Sequence, residues 1–261
     1  MAKRTIAGKS VAITGASSGI GRALAIALAQ EQARLVLNAR RTEKLADLAG
    51  ELRALDCPVE LVAGDITEAA TRQAIVDRSE SVFGGLDILV NNAGIGAFGR
   101  FEQATPDRLR RIMEVNFFAL VEMTRLALPL LRKGSESLIV NIASILGHRG
   151  IPRSSEYCAS KFAVRAFSQS LRAELARDKI GVLVVSPGTT ETDFFDSVID
   201  QQGPNPWPKH RGVPAATVAR ATLRAMRSGK HEIIPSFPGR LLTWFNRLSP
   251  RLVDKAVELY G

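Results

Sequence analysis

The 261-residue chain is 46% hydrophobic and 23% charged, ordinary values for one soluble globular domain with a large core, and no apolar run approaches the roughly 18 to 20 residues of a bilayer span. Its two cysteines, Cys57 and Cys158, and three histidines, His148, His210 and His231, form neither a disulfide framework nor a metal-ligand spacing, so packing thiols and no metal are expected. The formal charge of +9 is concentrated late, with ten Lys/Arg against three acids from Lys209 to Gly261, which leaves nucleic acid, anionic lipid, a phosphorylated cofactor and plain solvated surface all compatible.

Met1 to Lys9 contains no signal-peptide core, so the cytoplasm is the expected compartment. Ser10 to Thr14 is a short apolar run followed by Gly15-Ala16-Ser17-Ser18-Gly19-Ile20-Gly21 and an Ala/Leu-rich pattern to about Gln32, which predicts strand, Gly-rich turn, helix. The alternation continues with a strand at Arg34 to Asn38, a helix at Glu43 to Leu55, a strand at Val59 to Ala63, a helix at Glu68 to Phe83 and a strand at Ile88 to Asn91. A long helix from Pro106 to about Leu131 precedes a strand at Leu138 to Ile142, a helix at Ser155 to Arg177 and a strand at Gly181 to Ser186. Beyond Pro187 the chain reads as irregular, with Gly203 to Pro208 as a loop insertion, until two short helices broken near Pro250. Short Val/Ile/Leu strands without polar alternation predict a parallel, Rossmann-like doubly wound sheet covered on both faces, three layers (α/β/α) in a single domain. Residues about 188–212 form its substrate-loop region and about 237–261 its C-terminal amphipathic extension. Ligands of such sheets bind outside the carboxyl ends of the strands, where the Gly-rich turn, Asp65, Asn91, Ser144 and Pro187 fall.

Glycines after a first strand let backbone approach a pyrophosphate, and the next helix supplies free N–H groups and a positive dipole end. Gly15, Gly19 and Gly21 suit that task, although tight turns use glycine for steric reasons alone. The spacing TGxxxGxG from Thr14 to Gly21 differs from the GxGxxG fingerprint and resembles the short-chain dehydrogenase/reductase family. Further matches follow in the family's order: Asn91-Asn92-Ala93-Gly94, Asn116, Ser144, Tyr157-Cys158-Ala159-Ser160-Lys161 and Pro187-Gly188. The resemblance implies that Asp65, with Ile66, meets the adenine, that Asn91 to Gly94 line the adenosine side and that Ile20 lies near the pyrophosphate. It also implies that Lys161 holds the nicotinamide ribose, that the Pro187 to Thr192 turn, with Gly188 and Thr190, faces the carboxamide, and that Asn116 positions a relay water.

An NAD enzyme wants an acid at the end of the second strand to accept from the ribose hydroxyls. This chain has Asn38-Ala39-Arg40-Arg41 there. A 2′-phosphate would be matched by Arg40, with Ser17 as a hydroxyl donor beside Ser18, and Arg41 as a weaker candidate; the alternative is an Arg40 that only starts a solvated helix. NADP is expected over NAD.

Tyr157 and Lys161 are four residues apart and share a helix face. A phenol titrates near pH 10, so a nearby ammonium and an oxidised nicotinamide are expected to lower it, making Tyr157 the general acid in reduction and base in oxidation. Ser144 would hold the substrate oxygen. Glu156 is expected to be solvated and Cys158 to face away from the site.

Ile95, Phe98, Ile145, Ile151, Phe194, Phe195, Val198 and Trp207 fall in the prospective pocket walls, which suits a hydrophobic carbonyl or alcohol. The expectation is an NADP(H)-dependent oxidoreductase (NADPH/NADP+). A non-catalytic dinucleotide sensor or scaffold is the alternative, and nucleic-acid binding lacks a recognition signature. Phe117, Phe118, Phe162 and Phe167 exceed what one sheet face needs, which with the resemblance implies a homodimer or homotetramer. In the last segment, apolar residues from Leu241 to Leu259 alternate with Arg240, Arg247, Arg251 and Lys255. Packing over the pocket or a second subunit is preferred there over peripheral membrane contact.

Overall fold

The structure is a computed structural model that describes residues 4–194, 198–201 and 212–258. In chain order the elements are β1 (Ser10–Thr14), α1 (Gly19–Ala29), β2 (Arg34–Ala39), α2 (Thr42–Arg53), β3 (Val59–Ala63), α3 (Ala69–Phe83), β4 (Ile88–Asn91) and β5 (Gly96–Phe98). Then come α4 (Pro106–Met113), α5 (Ala119–Lys133), β6 (Leu138–Ile142), α6 (Ser155–Glu174), β7 (Gly181–Val185), β8 (Thr190–Glu191) and β9 (Val198–Gln201). The chain closes with β10 (Val213–Pro214), α7 (Ala215–Arg227), β11 (Glu232–Ile233), α8 (Phe237–Leu248) and α9 (Pro250–Glu258).

Seven parallel strands form the sheet in the order β3-β2-β1-β4-β6-β7-β11. The order reverses between β1 and β4, and Val11, Ala12 and Ile13 pair with Ile88, Leu89 and Val90 across that switch. Alternate strand residues serve opposite faces. Val11, Ile13, Leu35 and Leu37 pack with α1, α2 and α7, whereas Ala12, Val36, Leu89 and Ile139 pack with α3, α5 and α6. The three-layer expectation therefore stands, with helices burying both faces of strands too apolar to expose either.

The structure adds elements beyond Pro187. Helix α7 buries Val218, Ala219, Thr222, Leu223 and Met226, a helical stripe that closes the layer beside α1. The seventh strand is only two residues long, too short to carry a periodic signal. Part of the substrate-loop region, including Phe195, the 203–208 insertion and Trp207, lies outside the described residues, as does Leu259. The long predicted helix is continuous from α4 to α5 except for a π turn at Glu114–Phe118 that carries Asn116, the kind of bulge that often marks a functional site. Of its surplus aromatics, Phe117 packs edge-on against Phe167 at 6.0 Å, while Phe118 and Phe162 remain exposed.

Candidate active site

One cavity of about 890 Å³ runs along the carboxyl edge of the sheet. Its lining includes Gly15, Ser17, Ser18, Gly19, Ile20, Arg40, Asp65, Ile66, Asn92, Ala93, Gly94, Ser144, Tyr157, Lys161, Pro187, Gly188, Thr190 and Thr192. All of these were expected at the site from sequence. Three expected residues, Gly21, Asn116 and Asn91, stand behind the wall instead. Gly21 lies under the turn, where a Cβ would come 2.5 Å from the Gly15 carbonyl. Asn116 is buried in the π turn.

At the β1 end, Gly15 and Gly19 take φ of +67° and +55°, and a Cβ on Gly15 would meet Ala93 Cα at 2.8 Å. That approach is stitched by Thr14, whose hydroxyl accepts from the N–H groups of Asn92 and Ala93 at 3.0 and 3.1 Å. The Asn92 amide in turn donates to the Thr14 and Gly15 carbonyls at 3.0 Å each. Two turns across the switch point are thus held at backbone contact. The N-cap Ser18 makes no side-chain bond to α1, so the helix opens onto the cavity without a cap of its own. A cradle with glycine at its two closest points, ending at a helix N-terminus, fits a dinucleotide pyrophosphate.

Asn91 does not line this end, contrary to the sequence reading. As the last residue of β4 it points into the core, where its amide donates to Thr124 Oγ1 at 3.0 Å and Asn141 Oδ1 at 2.9 Å. Asn141 continues to Ser168 Oγ at 2.8 Å.

Arg40 and Arg41 both border the cavity, but their surroundings differ. Arg41 donates to Ser17 Oγ at 3.3 Å and Ser18 Oγ at 2.5 Å, whereas Arg40 lies 3.8 Å from Asp65. Asp65 also accepts from the backbone and hydroxyl of Thr67 at 3.0 and 2.9 Å. Asp193, from the loop after β8, reaches Lys44 at 3.0 Å and Arg41 at 3.7 Å. The Lys44 hydrogen bond holds its carboxyl below the ordinary value.

At the other end, Ser144 caps a 3-10 turn at Ile145–Gly147 by accepting from the Leu146 N–H at 3.1 Å. That turn presses on α6, because a Cβ at Gly147 would fall 2.7 Å from the Lys161 carbonyl. The approach brings Ser144 beside the Tyr157 phenol, whose pKa the Ser144 hydroxyl acts to lower. Lys161, one helical turn on, donates to the Ile142 carbonyl at 3.1 Å and stands 5.7 Å from the Tyr157 ring centre. Burial lowers the Lys161 pKa to about 8. Burial likewise pushes the Tyr157 phenol above its ordinary value, the Ser144 hydroxyl opposing it. In the protein alone desolvation outweighs the Ser144 contribution and the phenol is held protonated; the lowering expected from sequence also invokes an oxidised nicotinamide. A protonated phenol beside a hydroxyl can donate to an oxygen placed between them.

Asn116 Oδ1 accepts from the Ile95 N–H at 2.8 Å, and its amide donates to the Ile95 carbonyl and Ser160 Oγ at 3.0 Å each. These bonds fix the segment after β4 against α6.

Glu156 departs most from expectation. It is 4% exposed, and Arg108 of α4, 3% exposed, grips its Oε1 through Nε at 3.0 Å and an η nitrogen at 2.7 Å. Burial alone would raise the carboxyl, but the Arg108 and Ser155 bonds outweigh it and hold the pKa below the ordinary value. One position from Tyr157 points Glu156 away from the cavity, as its 100° offset requires, yet into the protein rather than to water. Cys158 is also buried. No sequence signal tied Arg108 to Glu156, 48 residues apart.

The remaining walls are apolar and come from Ile95, Phe98, Val115, Ile145, Ile151 and Phe194 together with Pro238, Gly239 and Leu242 of α8 and Val257 of α9. Tyr157 packs on Phe194, ring centres 5.6 Å apart. Of the C-terminal apolar face expected to pack over the pocket or a second subunit, Leu242 and Val257 line the cavity, whereas Leu241, Trp244, Phe245, Leu248 and Leu252 are exposed.

Comparison with known proteins agrees with this geometry. The short chain dehydrogenase family profile matches residues 9–203. The 11-beta-hydroxysteroid dehydrogenase A of Sesamum indicum is 36% identical over 97% of this chain and 76% of its own length. The ketoacyl reductase HetN of Nostoc sp. is 31% identical over 98% of this chain and 91% of its own. Among solved structures, a short chain dehydrogenase/reductase from Burkholderia phymatum in complex with NAD superposes with a TM-score of 0.86 at 26% identity, covering 95% of this chain and 96% of that one. One from Burkholderia cenocepacia in complex with NADP gives 0.78 at 28% identity, covering 88% and 97%.

Proposed function

The chain belongs to the short-chain dehydrogenase/reductase family, and from that premise we propose that it is an NADP(H)-dependent oxidoreductase acting on the carbonyl or alcohol group of an apolar small molecule. The observation that carries this reading is the convergence of Ser144, Tyr157 and Lys161 at one end of a cavity whose other end is a Gly-rich cradle flanked by two arginines. A bound nicotinamide supplies or accepts the hydride. Gly15, Ser17, Ser18, Gly19 and Ile20 would hold its pyrophosphate half, Arg40 and Arg41 with Ser17 a 2′-phosphate, and Asp65 and Ile66 the adenine, with Asn92, Ala93 and Gly94 along the adenosine. Lys161 and the turn carrying Pro187, Gly188, Thr190 and Thr192 would hold the nicotinamide half.

Ser144 donates to the substrate oxygen and holds it against Tyr157, an interaction that strengthens as negative charge develops there. Tyr157 gives that oxygen its proton in reduction and takes it back in oxidation, while Lys161 restrains the phenol and stabilises it when it is charged. Asn116 fixes the Ile95 segment that forms the facing wall. The hydroxysteroid and ketoacyl groups in the relatives' names both carry a carbon–oxygen function on an apolar body, which the Ile, Phe and Leu walls would accommodate. Phe118 and Phe162, exposed on the paired helices, supply an isologous apolar contact between subunits of a homodimer or homotetramer.

The reading is tested by following NADPH absorbance with a panel of apolar ketones and aldehydes. Tyr157→Phe should lower turnover by about 10²–10⁴-fold and leave NADPH affinity close to that of the parent protein. Undiminished turnover in that variant, on a substrate the parent reduces, would overturn the proton-transfer assignment.

A further inference from the structure

Helices α8 and α9 carry apolar residues on two sides, and only one side is used within the chain. Inward, Pro238, Gly239, Leu242 and Val257 line the cavity and Val253 is buried. Arg149 pins the pair by donating to Asn246 Oδ1 at 3.1 Å and by pairing with Asp254. Outward, Phe237, Leu241, Trp244, Phe245, Leu248 and Leu252 are 43 to 67% exposed, and among the described residues nothing covers them. Positions 237, 241, 244 and 248 recur at helical spacing, so they make one stripe along α8 that Leu252 prolongs onto α9. Trp244 and Phe245 stack edge-on with ring centres 5.1 Å apart.

Six large apolar side chains on one face exceed the scattered exposure usual for a soluble surface and mark a contact site. The stripe is edged by cations. Arg240, Arg247, Arg251 and Lys255 are all exposed, Arg240 lying over the Phe237 ring at 5.7 Å. Helix α8 contains no acid; of the two acids of α9, Asp254 is paired with Arg149 and Glu258 stands at the last position, leaving the cations in excess. A second copy of the same face would bring these four cations against four others, which disfavours self-pairing. An anionic lipid interface meets both features at once, since Trp, Phe and Leu suit the boundary between headgroups and chains while Arg and Lys suit the phosphates. No described helix is long and apolar enough to cross a membrane, so such contact lies along the surface.

We propose that the outer face of α8 and α9 docks this protein on an anionic membrane surface, with the apolar stripe at the headgroup boundary and the four basic side chains among the headgroups. Because the opposite side of α8 is cavity wall, docking sets that wall against the lipid.

Flotation of the full chain with phosphatidylcholine vesicles, with and without phosphatidylserine and at low and high salt, tests this without any need for turnover. Binding is expected to the anionic vesicles and to fall with salt. Arg247→Gln with Arg251→Gln should lower partitioning about thirtyfold, at about 1 kcal/mol per basic residue near the surface. Trp244→Ser with Phe245→Ser should abolish it. The chain has two tryptophans, Trp207 and Trp244, so in a Trp207→Phe protein the emission should shift to the blue on anionic vesicles. All four substituted positions on α8 and α9 are exposed, and unchanged thermal unfolding of each variant confirms an intact fold. Absence of vesicle binding by the parent protein at low salt, or equal binding to uncharged vesicles, overturns the proposal. So does a self-associated mass that Trp244→Ser with Phe245→Ser reduces, which would assign the face to a second copy.

Discussion

Two sides of α6, little more than one turn apart, bury a charge by opposite means. Glu156 is enclosed with a guanidinium that meets it through two hydrogen bonds, and Ser155 adds a third at 2.9 Å. Lys161 is equally buried, 4% exposed, but its ammonium has a single backbone carbonyl at 3.1 Å and, among the described residues, no carboxylate in an ion pair. The first arrangement satisfies itself and ties α4 to α6. The second carries an unrelieved desolvation cost at the cavity wall, the signature of a group whose partners arrive with a ligand. Burial of charge thus separates into structure and function according to who supplies the partner.

The sharpest way to break this contrast is to remove the partner on the structural side. Arg108→Ala leaves Glu156 buried and uncompensated and should cost about 3–5 kcal/mol of stability, read by chemical denaturation. Arg108→Met combined with Glu156→Leu should recover most of that loss, because no unpaired charge remains. The sign with pH follows: the depressed Glu156 pKa means the pair stabilises the fold above the ordinary carboxylate range and loses that contribution as pH falls through the depressed value. A single variant as stable as the parent protein would show that the pair is not structural.

On the functional side the opposite outcome is expected. Lys161→Met should stabilise the ligand-free protein at neutral pH by about 3 kcal/mol, from a pKa lowered from 10.5 to about 8, while abolishing turnover. In the parent protein the unfolded chain keeps this proton up to about 10.5 and the folded one only to about 8. Stability should therefore rise with pH across that window, and the rise should vanish in the variant. A destabilised Lys161→Met protein would mean that the ammonium is already paid for within the fold.

The smallest effect concerns the two exposed arginines at the cofactor end, whose carboxylate partners stand off: Arg40 lies 3.8 Å from Asp65, and Arg41, which also donates to Ser17 and Ser18, lies 3.7 Å from Asp193. Losing a charge-assisted bond to a phosphate costs about 1.5–3 kcal/mol, so Arg40→Asp and Arg41→Asp should each weaken NADPH about ten- to a hundredfold and leave NADH nearly unchanged. Calorimetric titration of both cofactors decides it. Equal affinity of the parent protein for NADH and NADPH would remove the phosphate assignment.

The sequence alone determined the parts of this protein whose cause is local. Short apolar runs between helical patterns make parallel strands, and a turn in which a Cβ on Gly15 would come 2.8 Å from Ala93 Cα tolerates no side chain there, so the sheet and the cradle were legible in one dimension, and the family motif spacing marked Tyr157, Lys161 and Ser144. Helix α7 has a comparable stripe from Val218 to Met226, but this stretch reads as irregular in sequence because the loop before it and the basic excess around it obscure the pattern.

Only the tertiary structure decided what depends on contacts between distant segments. Glu156 reads as an ordinary polar helix residue until Arg108 is brought beside it, and Asn91 as part of a binding turn until the core supplies Thr124 and Asn141. The seventh strand is two residues, a length at which pairing with β7 and not periodicity creates the strand. The two sides of α8 could be told apart only once the cavity claimed Leu242 and left Trp244 outside, because an amphipathic pattern records how much apolar surface a helix has and not which neighbour will cover it.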